Sequence, residues 1–137
     1  MTSVLVVVDA RASLEEAARL MRGHEIRHLP VLHGGELVGI LSQRDIYLVE
    51  TLSDARASEI RVEEAMTSEL FLVDPEESVY SVASRMAARR IGSAVVARGA
   101  QLLGLFTATD ALRALAVYAH ANPRGVGLPE AEGGAWT

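Results

Sequence analysis

The spacing of apolar residues changes period several times along the chain, and it does so in the same order twice. Val4 to Val8 is an unbroken aliphatic run, mostly β-branched, that predicts a strand. Ser13, with Glu16 three residues later, has the form of a capping box. Leu14, Ala17, Ala18 and Met21 then recur at helical spacing up to Gly23, where the helix is expected to end. Leu29 to Leu32 and Glu36 to Leu41 flank Gly34-Gly35 and predict a hairpin, followed by a helix over Gln43 to Leu52. The order strand, helix, strand, strand, helix then returns. Leu70 to Val73 gives a strand, and Ser78 opens a helix that carries Val79, Val82, Ala83 and Met86 and ends near Gly92. Ala94 to Ala97 and Gln101 to Phe106 form a hairpin around Gly99-Ala100, and a helix over Ala108 to His120 closes the copy. Residues 53 to 65 are polar and read as a connection, while Asn122-Pro123-Arg124-Gly125 stops the last helix. The remainder to Thr137 is rich in Gly, Pro and Glu and is expected to be a flexible C-terminal tail, with Trp136 exposed or touching another chain.

The two patterns are copies of one another at a constant offset of 65 residues, without a gap. Met1-Thr2-Ser3 recurs as Met66-Thr67-Ser68, and the identities run on through Leu5/Leu70, Val8/Val73, Asp9/Asp74, Ser13/Ser78, Ala18/Ala83, Met21/Met86, Ile26/Ile91, Val31/Val96, Gly34/Gly99, Leu37/Leu102, Gly39/Gly104 and Asp45/Asp110. A unit of about 60 residues is marginal on its own, so the copies are expected to bury their apolar faces against each other about a pseudo-two-fold axis. The expected fold is α+β (α/β), two βαββα repeats packed into one module. The first repeat with its connecting segment takes residues 1–60, the second 61–121 and the tail 122–137.

Composition narrows the possible functions. With 137 residues, half of them hydrophobic and 23% charged, the chain has the content of one globular unit and not of a disordered segment. Its apolar runs are too short to cross a bilayer, so no membrane association is expected. The absence of cysteine excludes a disulfide framework, a thiol nucleophile and a thiolate zinc site. No secretory signal is readable at the N-terminus, and the cytoplasm is the expected location. A net charge of −5 argues against nucleic acid as partner.

The most specific chemistry lies where the hairpin runs into the last helix of each copy. Gly39-Ile40-Leu41-Ser42-Gln43-Arg44-Asp45 is echoed by Gly104-Leu105-Phe106-Thr107-Ala108-Thr109-Asp110. A hydroxyl at the N-cap with an acid three residues on is a capping box whatever else it does. The same arrangement offers helix N-terminal amides to a phosphate and a carboxylate to the hydroxyls of a ribose.

At this point the sequence resembles the tandem cystathionine-beta-synthase (CBS) domain pair, the Bateman module, over residues 1 to about 118. The resemblance rests on Ile26-Arg27-His28-Leu29-Pro30-Val31 followed by Gly34 to Ile46, and on Val62-Glu63-Glu64-Ala65-Met66-Thr67 leading into Val73-Asp74-Pro75 and Ser78. It implies two repeats packed through their sheets, clefts that take adenosine-containing ligands such as AMP, ADP, ATP or S-adenosylmethionine, a homodimer, and no catalysis. It places ribose recognition on Asp45 and Asp110, with Ser42 and Thr107 beside them. The first cleft would comprise Val8, Asp9, Ile26, Arg27, His28, Pro30, Ser42, Arg44 and Asp45. The second would comprise Val73, Asp74, Ile91, Ser93, Ala94, Val95, Thr107, Thr109 and Asp110. Arg27, His28 and Arg44 make the first set the more cationic, since Gly92, Ser93 and Thr109 stand in their places. A phosphate-bearing ligand is therefore expected in the first cleft, while Val95 in place of Pro30 leaves the second for a less charged ligand or none.

Other constellations weigh less. His24, His28 and His33 are close in sequence but fall on a helix end, a strand start and a turn, which gives no converging metal geometry, and no required cofactor is expected. Ser42, Asp45 and His28 do not make a hydrolase triad. Ser42 lacks a Gly-x-Ser-x-Gly elbow, and Asp45 shares its helical turn instead of orienting a distant imidazole. His120 suits a helix C-terminus better than a catalytic role. Arg89-Arg90 reads first as a surface pair and second as a phosphate contact. The leading expectation is a stand-alone, non-enzymatic adenine-nucleotide sensor whose conformation is read by an effector protein. The alternative is a structural dimerisation or interaction module that binds no nucleotide.

Overall fold

The computed structural model describes residues 5–125, 127 and 128; Val4, Trp136 and most of the expected tail lie outside the described residues. The elements are β1 (Val8–Asp9), α1 (Leu14–His24), β2 (His28–His33), β3 (Glu36–Ser42), α2 (Gln43–Leu52), α3 (Val62–Ala65), β4 (Leu72–Val73), α4 (Val79–Arg89), β5 (Ser93–Arg98), β6 (Gln101–Thr107) and α5 (Ala108–Ala121). Each half builds a three-stranded sheet, β1-β2-β3 and β4-β5-β6, in which the first pair is parallel and the second antiparallel. The registers coincide under the 65-residue offset, as Val8↔Val31 and Val73↔Val96 show, and so do the irregularities after Val31 and Val96. This is the mixed α+β architecture that the repeated pattern predicts.

The first strand of each half is shorter than its apolar run. Val8–Asp9 and Leu72–Val73 alone enter a sheet, because a parallel partner exists only along two residues of the neighbouring strand. Leu5 and Val6 turn instead toward the gap between the halves.

Helix boundaries depart from expectation in an instructive way. Ser13 and Ser78 cap α1 and α4, each accepting the backbone N–H three residues on at 3.1 Å. Gly23 does not end α1, which runs through His24, and α4 stops at Arg89 well before Gly92. Both helices end on a left-handed residue that is not glycine, Glu25 (φ 54) and Arg90 (φ 56), and these two positions are themselves 65 apart. Their N–H groups close the last turn onto Arg22 and Met21, and onto Ala87 and Met86. Ile26 and Ile91 then donate to Met21 and Met86, so the chain is led straight into β2 and β5. The two-residue hairpin turn at Gly34-Gly35 has φ 59 and 83, which glycine adopts without strain.

The cores are unequal. Val8, Leu14, Ala17, Met21, Leu29, Val31, Leu41 and Ile46 form the first, and Ile60 and Val62 from the connection complete it. That connection is structured: Leu14 donates to Ile60, Glu15 to Ala57, Val62 to Ala12 and Glu63 to Ala10, at 2.8–3.2 Å. It also contains the short helix α3, for which four residues gave too little periodicity to read. Phe71, Val73, Val82, Met86, Ala94 and Val96 make the smaller second core. The sheets meet through Ile40, Val95 and Leu105, with Leu37, Leu70 and Leu102 packed against them. The chain crosses from one half to the other over Gly39, where Ile40 and Thr67 exchange backbone hydrogen bonds at 2.9 Å.

Candidate functional site

Both repeated aspartates first serve their helices. Asp45 Oδ2 accepts the Ser42 N–H at 2.8 Å while the Asp45 N–H donates to Ser42 Oγ at 3.0 Å. Asp110 Oδ2 accepts both the N–H and the hydroxyl of Thr107, at 2.8 and 3.0 Å, and the Asp110 N–H donates to Thr107 Oγ1 at 3.3 Å. These capping boxes occupy one oxygen of each carboxylate. Asp110 is buried, the only charged residue in that state among the described residues. Burial pushes its carboxyl pKa up, the hydrogen bonds from Thr107 lead the effects that pull it down, and the net displacement is downward.

A cavity of about 440 Å³ opens between the halves. One wall is Glu25, Ile26, Arg27, His28 and Pro30 from the α1–β2 passage, with Leu5 and Val6; the other is Leu105, Thr107, Ala108, Thr109, Asp110 and Arg113, with Gly92. A second cavity of about 570 Å³ adjoins it and shares Asp110 and Arg113; its lining includes Val73, Asp74, Val82, Val96 and Phe106. The Arg113 guanidinium stands where the two meet, Nη1 4.0 Å from Asp110 Oδ1 and largely exposed. The first cavity holds most of the polar groups, while the second is mainly apolar, with Asp74 and Glu77 besides the shared pair.

This arrangement regroups the residues that sequence reasoning singled out. Ile26, Arg27, His28 and Pro30 line the cavity of Asp110, together with Thr107 and Thr109. Ser42, Arg44 and Asp45 line none of the three cavities described here. The physical reason is the sheet-on-sheet packing, which sets the start of β2 against the end of β6. A Cβ on Gly92 would lie 3.9 Å from His28 Nε2, which records how closely the two passages approach. The cationic residues Arg27 and His28 thus line one cavity with Asp110 of the other half. His28 still borders the other half-site: it pairs with Ser42 across β2–β3, and Gln43 donates to the Arg27 carbonyl at 2.9 Å. Desolvation lowers its pKa, Asp45 opposes that, and Arg27 adds to it.

Val73 and Asp74 line the adjoining cavity, where Asp74 Oδ1 accepts the Glu76 N–H at 2.8 Å. Val8 and Asp9 line none of the three cavities, Val8 being core and Asp9 accepting the Arg11 N–H at 2.8 Å. Ser93, Ala94 and Val95 likewise line none of them, Ala94 and Val95 being buried; Ile91 lines only a third, apolar cavity. Arg89 lies over the Phe71 ring, 4.9 Å from its centroid, and Arg90 borders that third cavity, so neither reaches the Asp110 cleft. Arg113 was missed. Its only sequence signal is its place one turn beyond Asp110, which puts both on the same face of α5.

The third cavity, about 1000 Å³, is an open groove between α4 and α5 lined by Val79, Tyr80, Met86, Leu112, Leu115 and Tyr118 among others. No helix among the described residues is long and apolar enough to cross a membrane.

Comparison with known proteins bears on the family and the fold. The family model of the CBS domain matches residues 1–49 and again 62–117. Over 110 residues the chain is 31% identical to the CBS domain-containing protein YhcV of Bacillus subtilis, covering 80% of this chain and 78% of that protein. Over 107 residues it is 38% identical to inosine-5′-monophosphate dehydrogenase of Korarchaeum cryptofilum, covering 77% of this chain but only 21% of the dehydrogenase. The chain thus spans about a fifth of that enzyme's length. Among solved structures, the CBS domain pair of protein MJ0100, in complex with 5′-methylthioadenosine and S-adenosylmethionine, superposes with a TM-score of 0.77 at 26% identity, covering 86% of this chain and 93% of that one.

Proposed function

Because the chain belongs to the CBS-domain family and carries the domain twice, we propose that it is a non-catalytic regulatory module. It binds an adenosine-containing ligand (AMP, ADP, ATP or S-adenosylmethionine) in the cleft around Asp110. The observation that carries this reading is the composite wall: a buried, ionised carboxylate from one half faces Arg27 and His28 from the other. Asp110 would take the ribose hydroxyls, the apolar cavity at Val73 and Phe106 the base, and the polar cavity whatever the ribose carries. That MJ0100 was crystallised with two adenosine-containing ligands supports the choice of ligand class. A ligand held by both halves favours the conformation in which they are closed, and a partner protein that distinguishes the conformations reads the signal.

Calorimetric titration and a thermal-shift screen test the reading. At 100 times its dissociation constant a ligand adds about 2.7 kcal/mol of stability, a shift of a few degrees. Adenine compounds should give this shift and GTP should not. Asp110→Asn should abolish binding while Asp45→Asn leaves it intact. Loss of binding in Asp45→Asn alone would return the site to the other half, and no shift with any adenine compound would overturn the reading.

A second reading has an observation of its own. Tyr80, Leu112, Leu115, Val117 and Tyr118 are exposed along α4 and α5, and Tyr47, Leu48 and Leu52 along α2. A surface this apolar marks an interaction site, and a homodimer through these helices is compatible with the sensor as well as with an interaction module lacking a nucleotide.

A further inference from the structure

We propose that Arg113 sets the charge selectivity of the Asp110 cleft: with Arg27 from the opposite half it forms a two-guanidinium clamp that selects ligands bearing phosphate over adenosine and over the cationic S-adenosylmethionine. The proposal rests on the preceding reading of the cleft and deepens it. Arg113 alone among the basic residues borders both cavities, at the junction a ligand's ribose would occupy if Asp110 binds it. Among the described residues its guanidinium has one loose contact, 4.0 Å to Asp110 Oδ1, and its side chain is 77% exposed, so it can turn to an incoming anion at small cost. Arg27 stands on the far wall and His28 beside it, so a phosphate between the walls meets a fork of donors from each half. Glu25 and Asp110 are the acidic residues of the same cavity; Glu25 is exposed, and Asp110 already takes two hydrogen bonds from Thr107. Under the 65-residue offset the counterparts of Arg27, His28 and Arg113 are Gly92, Ser93 and Leu48, so the other half-site has no equivalent clamp.

The test is calorimetric titration of the full chain with adenosine, AMP, ATP and S-adenosylmethionine, for wild type, Arg113→Ala and Arg113→Lys. Wild type should bind AMP more tightly than adenosine or S-adenosylmethionine. Arg113→Ala should weaken AMP and ATP by about tenfold and leave adenosine unchanged, as expected for losing one charge-assisted contact. Arg113→Lys should recover part of the loss, since it keeps the charge but not the fork. An unchanged ratio of AMP to adenosine affinity in Arg113→Ala overturns the proposal while leaving the cleft assignment standing. An equal fall for both ligands overturns it too, because it makes Arg113 a structural support. If wild type binds neither adenosine nor AMP, the cleft reading fails and this proposal with it.

Discussion

Thr107 and Asp110 hold the first turn of α5 through three mutual hydrogen bonds, so the carboxylate is immobilised before any ligand arrives. Thr107→Ala removes the cap and should cost about 1 kcal/mol, measurable as a drop of a few degrees in Tm. A fixed acceptor that is already desolvated binds a diol with less loss of freedom than a solvated one. His28 supplies a pH dependence whose sign follows from its environment. Burial and Arg27 push its pKa below 6.5 and Asp45 only partly restores it. The unfolded chain then binds more protons near pH 6.5, so the stability linked to His28 is present above that value and is lost as pH falls through the folded pKa. Melting temperature should decline between about pH 7.5 and 5.5, and less steeply in His28→Gln. An anionic ligand beside the imidazole would raise its pKa, so binding near pH 6.5 should take up protons, visible as a buffer-dependent enthalpy.

At the scale of elements, what the sequence makes legible is whatever a local period or cap encodes. The hairpins, α2 and both serine caps are written in neighbouring residues, and their positions follow within a residue or two. The ends of α1 and α4 are not, because their left-handed residues are Glu25 and Arg90, chosen by the tertiary path into β2 and β5 against local preference. Arg90→Gly should therefore stabilise the fold by about 0.5–1 kcal/mol in urea denaturation, since glycine takes this conformation without steric penalty. Gly39 is the reverse case. A Cβ there would lie 2.6 Å from Met66 Sδ and 2.9 Å from the Thr67 carbonyl oxygen, so Gly39→Ala should destabilise by about 1–3 kcal/mol. The residue types that line the cavity stand in two separate motifs, Ile26 to Pro30 and Thr107 to Asp110, but nothing local shows that they meet. Motif reasoning works within a repeat, whereas Arg27 and Asp110 are brought to one cavity only by the packing of two sheets.

For the whole molecule, the placement of α5 connects the cleft to a surface. Its inner face carries Asp110 and Arg113 and its outer face Leu112, Leu115 and Tyr118, so a small rotation of the helix alters both at once. If those outer residues join two copies, sedimentation should give twice the 14.7 kDa chain mass, and Leu112→Glu with Leu115→Glu should reduce it to one. The connection between the halves has a further consequence. Ile60 and Val62 complete the core of the half that precedes them, and Thr67 pairs with Ile40 before its own half has begun a strand. Under the 65-residue offset α3 still belongs to the first copy, whereas Met66 and Thr67 open the second and already meet the first at Gly39 and Ile40. Fragments cut ahead of α3, after residue 60, would part Val62 from the core it completes and Thr67 from Ile40. Mixed in solution, they should recover structure that neither attains alone.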